Sequence, residues 1–369
     1  MIRRYLPIPK DLEQLIQWYE RYISPFSLIA GFVADNLILL RRVDLWQSNA
    51  LLFSYIAVAT TGIILLNAIE AGRIRGERMR IIAPIIPVVV QFAFGGLFSG
   101  FVSLYSRSAS FFGTWIFIAV LAALLIGNER FRKLYLRFSF QIALYFSSVF
   151  LFFIFLLPVL FHRIGDAVFI LSGLTAIGVT ASLLFVLSHI SPVVEQKERT
   201  QSARSIALIW LVVTILYFTN LIPPLPLALK DAGVYHAVSR NTDGTYTLEG
   251  ESSAWYQTIF PIRSQFHRAP GDTAYVFTAI FAPTGLSTTI LHEWQHYDEA
   301  ASKWITKSTF TFTINGGRDG GYRGYTLKSS PEIGKWRVNV ITPSGLFIGR
   351  VSFTVTDEPA TEDRVATMH

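Results

Sequence analysis

The strongest constraint in this sequence is the stretch Ile206–Leu229, IALIWLVVTILYFTNLIPPLPLAL, which contains no charged residue. At about 1.5 Å per helical residue, some twenty apolar residues cross about 30 Å of hydrocarbon. Pro223, Pro224 and Pro226 then stop a helix and stiffen the exit. Everything before this boundary reads as lipid-soluble and everything after it as water-soluble.

Charge divides at the same place. Up to Leu229 there are 19 Lys and Arg against 11 Asp and Glu, and from Lys230 onward 13 against 14. The net +7 therefore belongs to the apolar part, where basic residues flank the spans, and a nucleic-acid partner is not expected. Over 369 residues, 51% are hydrophobic and 15% charged, with a mean hydropathy of +0.42, which is unusual for a water-soluble chain. The absence of cysteine excludes disulfides, thiolate metal sites and cysteine nucleophiles. No cleavable signal peptide is expected, because the first apolar run begins near Pro25 behind a mixed-charge segment.

Residues 1–24 carry a helix-period stripe of Leu12, Leu15, Ile16, Tyr19 and Ile23 opposite Glu13, Gln17 and Glu20, which predicts an amphipathic helix. Seven apolar spans follow, Pro25–Leu40, Ala50–Ile69, Ile81–Leu104, Ala109–Gly127, Phe138–Phe161, Ala167–Ile190 and Ile206–Leu229. The first is short and holds Asp35 and Asn36, so a transmembrane bundle of six or seven helices is predicted over 25–229. Fifteen basic residues fall on one side of this zigzag, among them Arg73, Arg75, Arg130, Arg132, Lys197 and Arg199. Only Arg41, Arg42, Arg107 and Arg163 fall on the other. That asymmetry predicts a cytoplasmic amino terminus and a carboxy-terminal part on the outer side of the membrane.

Polar groups inside the spans are few. A transporter would need a cavity lined by Asp35, Gln91, Gln141 and Asn220, but Asp35 has no cationic partner at its depth, and pairing with Arg41 or Arg42 near the interface is the plainer reading. Gly96 and Gly100 make a small-residue stripe that lets two helices approach, within the chain or between two copies of it.

After Lys230 the pattern changes to short alternating runs. Residues 230–271 form a junction read as adding short strands around the turn NTDG. Residues 272–356 hold the runs Tyr275–Phe281, Thr289–Tyr297, Trp304–Ile314, Lys335–Thr342 and Phe347–Val355, with PSG at 343–345 as a hairpin turn. An antiparallel all-β sandwich is predicted there, and the tail 357–369 reads as disordered.

Two motifs carry candidate chemistry. His292-Glu293-Trp294-Gln295-His296 is a literal H-E-x-x-H, which on a helix would bring His292 and His296 to one zinc ion. Here it sits among strands, where residues four apart lie about 13 Å apart, and the competing reading places His292, Trp294 and His296 on one face of a strand. The loop Asn315–Tyr325, NGGRDGGYRGY, has the composition to wrap an anion or a cluster of sugar hydroxyls through its amides and Arg318, Asp319, Tyr322 or Arg323. Trp294, Trp255 and Tyr256 add aromatic surface of the kind that stacks on sugar rings, or else core. No Ser-His-Asp set or close carboxylate pair is readable, and neither catalytic residues nor cofactors are expected.

The residues YVFTAIFAPTGLSTTILHEWQHYD, GGRDGGYRGYT, GKWRVNVITPSG and GRVSFTV, from Tyr275 to Val355, resemble the bacterial family known as domain of unknown function 2914. The resemblance implies a small extracytoplasmic β-sandwich at the carboxy end of a membrane protein, with no established enzymatic activity. It implies also that His292 lies on a strand leading to His-x-Trp. The membrane half, with the junction LIPPLPLALKDAGVYH, is similar to the multipass region sometimes found before that domain. The expectation is an anchored sandwich that binds an envelope glycan or protein. The competing class is a transporter or membrane-embedded enzyme with an accessory sandwich.

Overall fold

The computed structural model describes Val33 and residues 44–74, 82–106, 108, 114–128, 134, 137–191, 196–223, 226–251, 264–269, 271–357 and 364–369. The amphipathic segment 1–24, nearly all of the first span with Asp35, and Trp255 and Tyr256 lie outside them. The chain divides into two compact units, one helical and one containing all the strands.

The described residues of the helical unit form α1 (Trp46–Glu70), α2 (Ile86–Ser106), α3 (Trp115–Asn128), α4 (Phe138–Phe161), α5 (Asp166–Ile190) and α6 (Gln196–Phe218). Five are long and apolar enough to cross a membrane, α2 counted with the 3-10 turn before it, and α3, at 14 residues, is shorter. The span expected over Ile206–Leu229 is helical only to Phe218. Asn220 follows in the left-handed region at φ 57°, where Asn is tolerated beyond a helix end, and the prolines beyond it bar any resumption. Asn220 therefore lies outside the apolar helix.

Small residues set the helix packing. A Cβ on Gly96 of α2 would lie 2.6 Å from the Tyr55 ring of α1, and one on Gly62 of α1 would collide with Val90 of α2. At Gly96 the stripe is thus filled from within the chain and gives no argument for a second copy. The Asn67 amide donates to Gln141 Oε1 at 2.9 Å, and the Asn128 amide donates to the carbonyl of Gln91 at 3.0 Å. Arg73 Nε donates to the carbonyl of Ile190, joining the ends of α1 and α5, while the Ser139 N–H donates to Glu198, joining the starts of α4 and α6. Ends that meet in this way fit an up-and-down order.

The described residues of the second unit form eleven strands. A three-stranded sheet runs in the order β1 (Ala228–Tyr235), β5 (Thr273–Phe281), β8 (Tyr322–Ser329). A five-stranded sheet has the order β4 (Ser264–His267), β10 (Phe347–Thr356), β9 (Gly334–Ile341), β6 (Ser287–Asp298), β7 (Lys303–Asn315). A second three-stranded sheet is formed by β11 (Arg364–Met368), β3 (Tyr246–Glu251) and β2 (Ala237–Arg240). All pairs are antiparallel except β4 with β10. The tail expected to be disordered contributes β11, because the alternating RVATM satisfies the free edge of β3.

Strand β5 organises this unit. Its Ala274, Val276 and Ile280 join buried clusters with Trp294, Trp336, Val338, Val340 and Phe353 of the five-stranded sheet. Its other face gives Phe277 and Ala279 to a cluster with Leu248 of β3 and Tyr235. Burial on both faces explains why YVFTAIF is almost continuously apolar instead of alternating. Leu227, expected at the end of a lipid span, is buried in the β unit beside Ile280 and Ile348, where apolar surface serves a protein core equally well. His162 and Ile164, from the α4–α5 connection, belong to this unit too. His162 lies against Gly285, and Ile164 packs on the cluster around Leu227.

Candidate functional site

His292 and His296 lie four apart on a strand, so the helical geometry that would bring both imidazoles to one zinc does not exist here. The strand reading describes this stretch, since His292 and Trp294 are buried and His296 packs against Trp336 on the same face, with ring centroids 4.8 Å apart. Each imidazole is also engaged. His296 Nε2 lies 3.0 Å from the carbonyl of Ile333. His292 Nδ1 lies 2.9 Å from Thr326 Oγ1 and its Nε2 3.1 Å from Thr278 Oγ1. The Trp294 indole donates to Thr326 Oγ1 at 2.9 Å, which leaves the Thr326 hydroxyl proton for His292 Nδ1, while Thr278 donates its own to the carbonyl of Gly324 and so accepts from Nε2. The ring proton then sits on Nε2, and every group is satisfied with the imidazole neutral. Burial lowers the pKa of His292 from 6.5 to about 4. Trp294 has no exposed surface and offers no ring to a ligand.

The glycine loop is committed to the protein. The amides of Gly316, Gly317 and Gly321 donate to the carbonyls of Leu286, Ala282 and Arg318. A Cβ on Gly316 would collide with the carbonyl of Pro283, and one on Gly321, at φ 85°, would lie 2.9 Å from the Ile280 backbone. These glycines are required because two backbones pass at contact distance, and three amides of the expected anion cradle are spent. Arg318 stands over the Tyr322 ring at 5.8 Å, and Tyr322 packs on the core cluster around Ile280. Asp319 is exposed and engaged, and Arg323 is half-buried. Within the helical unit, Gln141 is bonded to Asn67 and the carbonyl of Gln91 to Asn128.

The outward face of the five-stranded sheet carries a set of residues that reading by motif passes over. Register places Glu293, Asn339 and Arg350 side by side across β6, β9 and β10, with Gln295, Arg337 and Ser352 in the next row. Glu293 accepts from the Thr306 hydroxyl and from the Asn339 amide, each at 2.9 Å. Asn339 Oδ1 accepts from Arg350 Nε at 2.7 Å, and Gln295 Oε1 accepts from Arg337 Nε at 2.6 Å. The Arg337 guanidinium also stacks 4.3 Å from the Trp304 ring, within cation–π range. Both arginines are half-buried, and among the described residues neither forms an ion pair. Burial, then repulsion from Arg337, lowers Arg350 to about 10 against the pull of Glu293. The signal was present in KWRVNVI, where Lys335, Arg337 and Asn339 alternate with Trp336, Val338 and Val340, but alternation marks a face without saying that its arginines lack acid partners.

A separate charged cluster joins β3, β4 and the residue between β1 and β2. Glu251 takes His236 Nε2 at 2.9 Å on one oxygen and His267 Nδ1 at 2.7 Å on the other, and the first also accepts the His267 backbone N–H. Burial pushes its carboxyl up, but these bonds outweigh it and hold the group at about 2. Among the described residues, no group of three or more His, Asp or Glu has the geometry to hold a metal ion.

Residues 287–355 match the family described as "Protein of unknown function (DUF2914)", inside the range where the sequence resembles it. No curated protein matches the chain. Among solved structures the chain is similar to "Pseudomonas fluorescens alkylpurine DNA glycosylase AlkC bound to DNA containing an abasic site analog", with 9% identity, 83% of this chain and 97% of that chain covered, and a TM-score of 0.19. A TM-score that low carries no argument about fold or role.

Proposed function

We propose that this chain is a multipass protein of the bacterial inner membrane with a cytoplasmic amino terminus, whose helices anchor an exported β-sandwich that binds an envelope ligand, glycan or protein. The membrane reading is supported by the outward faces of α5 and α6, where Leu174, Phe185, Leu208, Leu211 and Ile215 are exposed, a surface suited to lipid rather than water. The sandwich is supported by two core clusters that each draw side chains from the three-stranded and the five-stranded sheet. The binding role is carried by one observation, the ordered polar face of β6, β9 and β10 with two half-buried guanidiniums that form no ion pair among the described residues. The transporter reading has less support, because the Gln141 side chain is taken up by Asn67 of another helix and Asn220 lies past a helix end.

A chain without cysteine invites accessibility mapping free of background. Single cysteines replace Ser344, in the β9–β10 turn, and Arg73, after α1, and spheroplasts are treated with a membrane-impermeant maleimide. Ser344→Cys is expected to label in intact spheroplasts and Arg73→Cys only after permeabilisation. The reverse pattern would place the β unit in the cytoplasm and end the proposal.

A further inference from the structure

Half-buried charge needs a partner or water, and among the described residues the guanidiniums of Arg337 and Arg350 donate only to neutral acceptors. Each is fixed through Nε, by Gln295 and Asn339 respectively, so the terminal nitrogens of both forks have no acceptor among the described residues. The carboxylate facing them, Glu293, is occupied by Thr306 and Asn339. Register sets the two arginines on adjacent strands, Arg350 opposite Asn339 and Arg337 two residues further along the same face. The result is a pair of pre-oriented forks of net positive charge beside an aromatic ring, Trp304, held by neighbours that cost the ligand no ordering.

We propose that this face binds an acidic polysaccharide, its sugar carboxylates taken by the Arg350 and Arg337 forks. This inference rests on the binding role proposed for the face and names the ligand class. A carboxylate supplies the acceptor geometry the forks lack, and a uronate chain repeats such carboxylates along its length, so that two forks on adjacent strands can be met at once. A protein partner would need an apolar centre, and the middle of this face is polar.

The test is calorimetric titration of the full-length protein in detergent micelles with oligomers of a polyuronate, and with neutral dextran as control. Polyuronate is expected to bind, more weakly as salt is raised, and dextran not to bind. Arg350→Gln is expected to weaken polyuronate binding by about tenfold or more. Glu293→Gln keeps a carbonyl acceptor but removes the repelling charge, and is expected to tighten binding several-fold. That opposite sign is what a purely structural network would not give, and it stands even if Arg350→Gln fails to fold. Absence of polyuronate binding by wild type, equal binding of dextran, or weakening by Glu293→Gln would each overturn the inference. Dextran binding indifferent to Arg350→Gln would remove the acidic class and leave a ligand-binding face. The cysteine labelling of residue 344 reads the wider proposal independently of any sugar.

Discussion

His292 shows how one side chain can be polar, buried and silent. With Thr278 and Thr326 on its two nitrogens and Trp294 donating to Thr326, it is fully hydrogen-bonded when neutral, and burial disfavours a second ring proton. Its folded pKa, about 4, lies below the ordinary 6.5, so the unfolded chain binds more protons between those values. Stability is therefore full above pH 6.5 and falls as pH drops towards 4, by an amount on the order of 3 kcal/mol. Glu251, held at about 2 against 4.5, adds a second loss, between pH 4.5 and 2. Thermal unfolding of the β unit followed by tryptophan fluorescence is expected to move to lower temperature across both windows. His292→Gln is expected to flatten the upper window and to leave the lower one in place. The sequence shows the histidine and its strand, but its silence depends on two threonines 14 residues before and 34 after it, which no local pattern joins.

At the scale of elements, glycine spacing in the loop after β7 was legible and its meaning was not. NGGRDGGYRGY has the composition of a ligand cradle, yet the same residues are what a chain needs where its backbone crosses another at contact distance. The two cases differ only in what lies opposite, here the carbonyls of Ala282 and Pro283 and the backbone of Ile280. Substitution separates them position by position. Gly316→Ala meets the Pro283 carbonyl and is expected to destabilise the β unit by about 2 kcal/mol or more. Gly320→Ala meets nothing closer than the mobile end of Arg323, at 3.8 Å, and is expected to be neutral in the same chemical-denaturation measurement. Five strands of 272–356 were readable, four from alternation and β5 from its apolar run, with turns such as PSG closing them and Gly345 at φ 85° completing the last, whereas β8 begins inside the stretch read as a glycine loop. The end of α6 was misjudged for the converse reason: Leu227 and Leu229 are as apolar as any lipid-facing residue, and only the strand they enter distinguishes them.

On the scale of the whole molecule, the β unit is knit by pairings that ignore sequence order. Strand β4 lies parallel to β10, Ser264 opposite Phe353, and β1 reaches past β2, β3 and β4 to pair with β5. Val351, Phe353 and Val355 of β10 complete the cluster holding Trp294 and Trp336, whereas β11 is exposed along its length and closes only an outer sheet. A chain ending at Leu346 is expected to lose the protease resistance of its entire β unit, and one ending at Asp357 to retain it, as read by limited proteolysis of membranes. Retention of a resistant core in the shorter chain would mean that β10 is dispensable. The three-stranded and five-stranded sheets could be inferred in kind from alternation, but neither this order nor the third layer, because periodicity says which way a side chain faces and nothing about which strand lies alongside.

The pairing of Ser264 with Phe353 also sets a clock. While the polypeptide grows, β4 has no neighbour in its own sheet until β10 has been made, and the two core tryptophans, once synthesised, lack the β10 side chains of their cluster until then. Such delayed closure makes β-rich domains slow to fold and prone to stray association. For this chain the hazard is greatest between the emergence of β4 and that of β10, so any helper that shields its folding has to act within that span of synthesis.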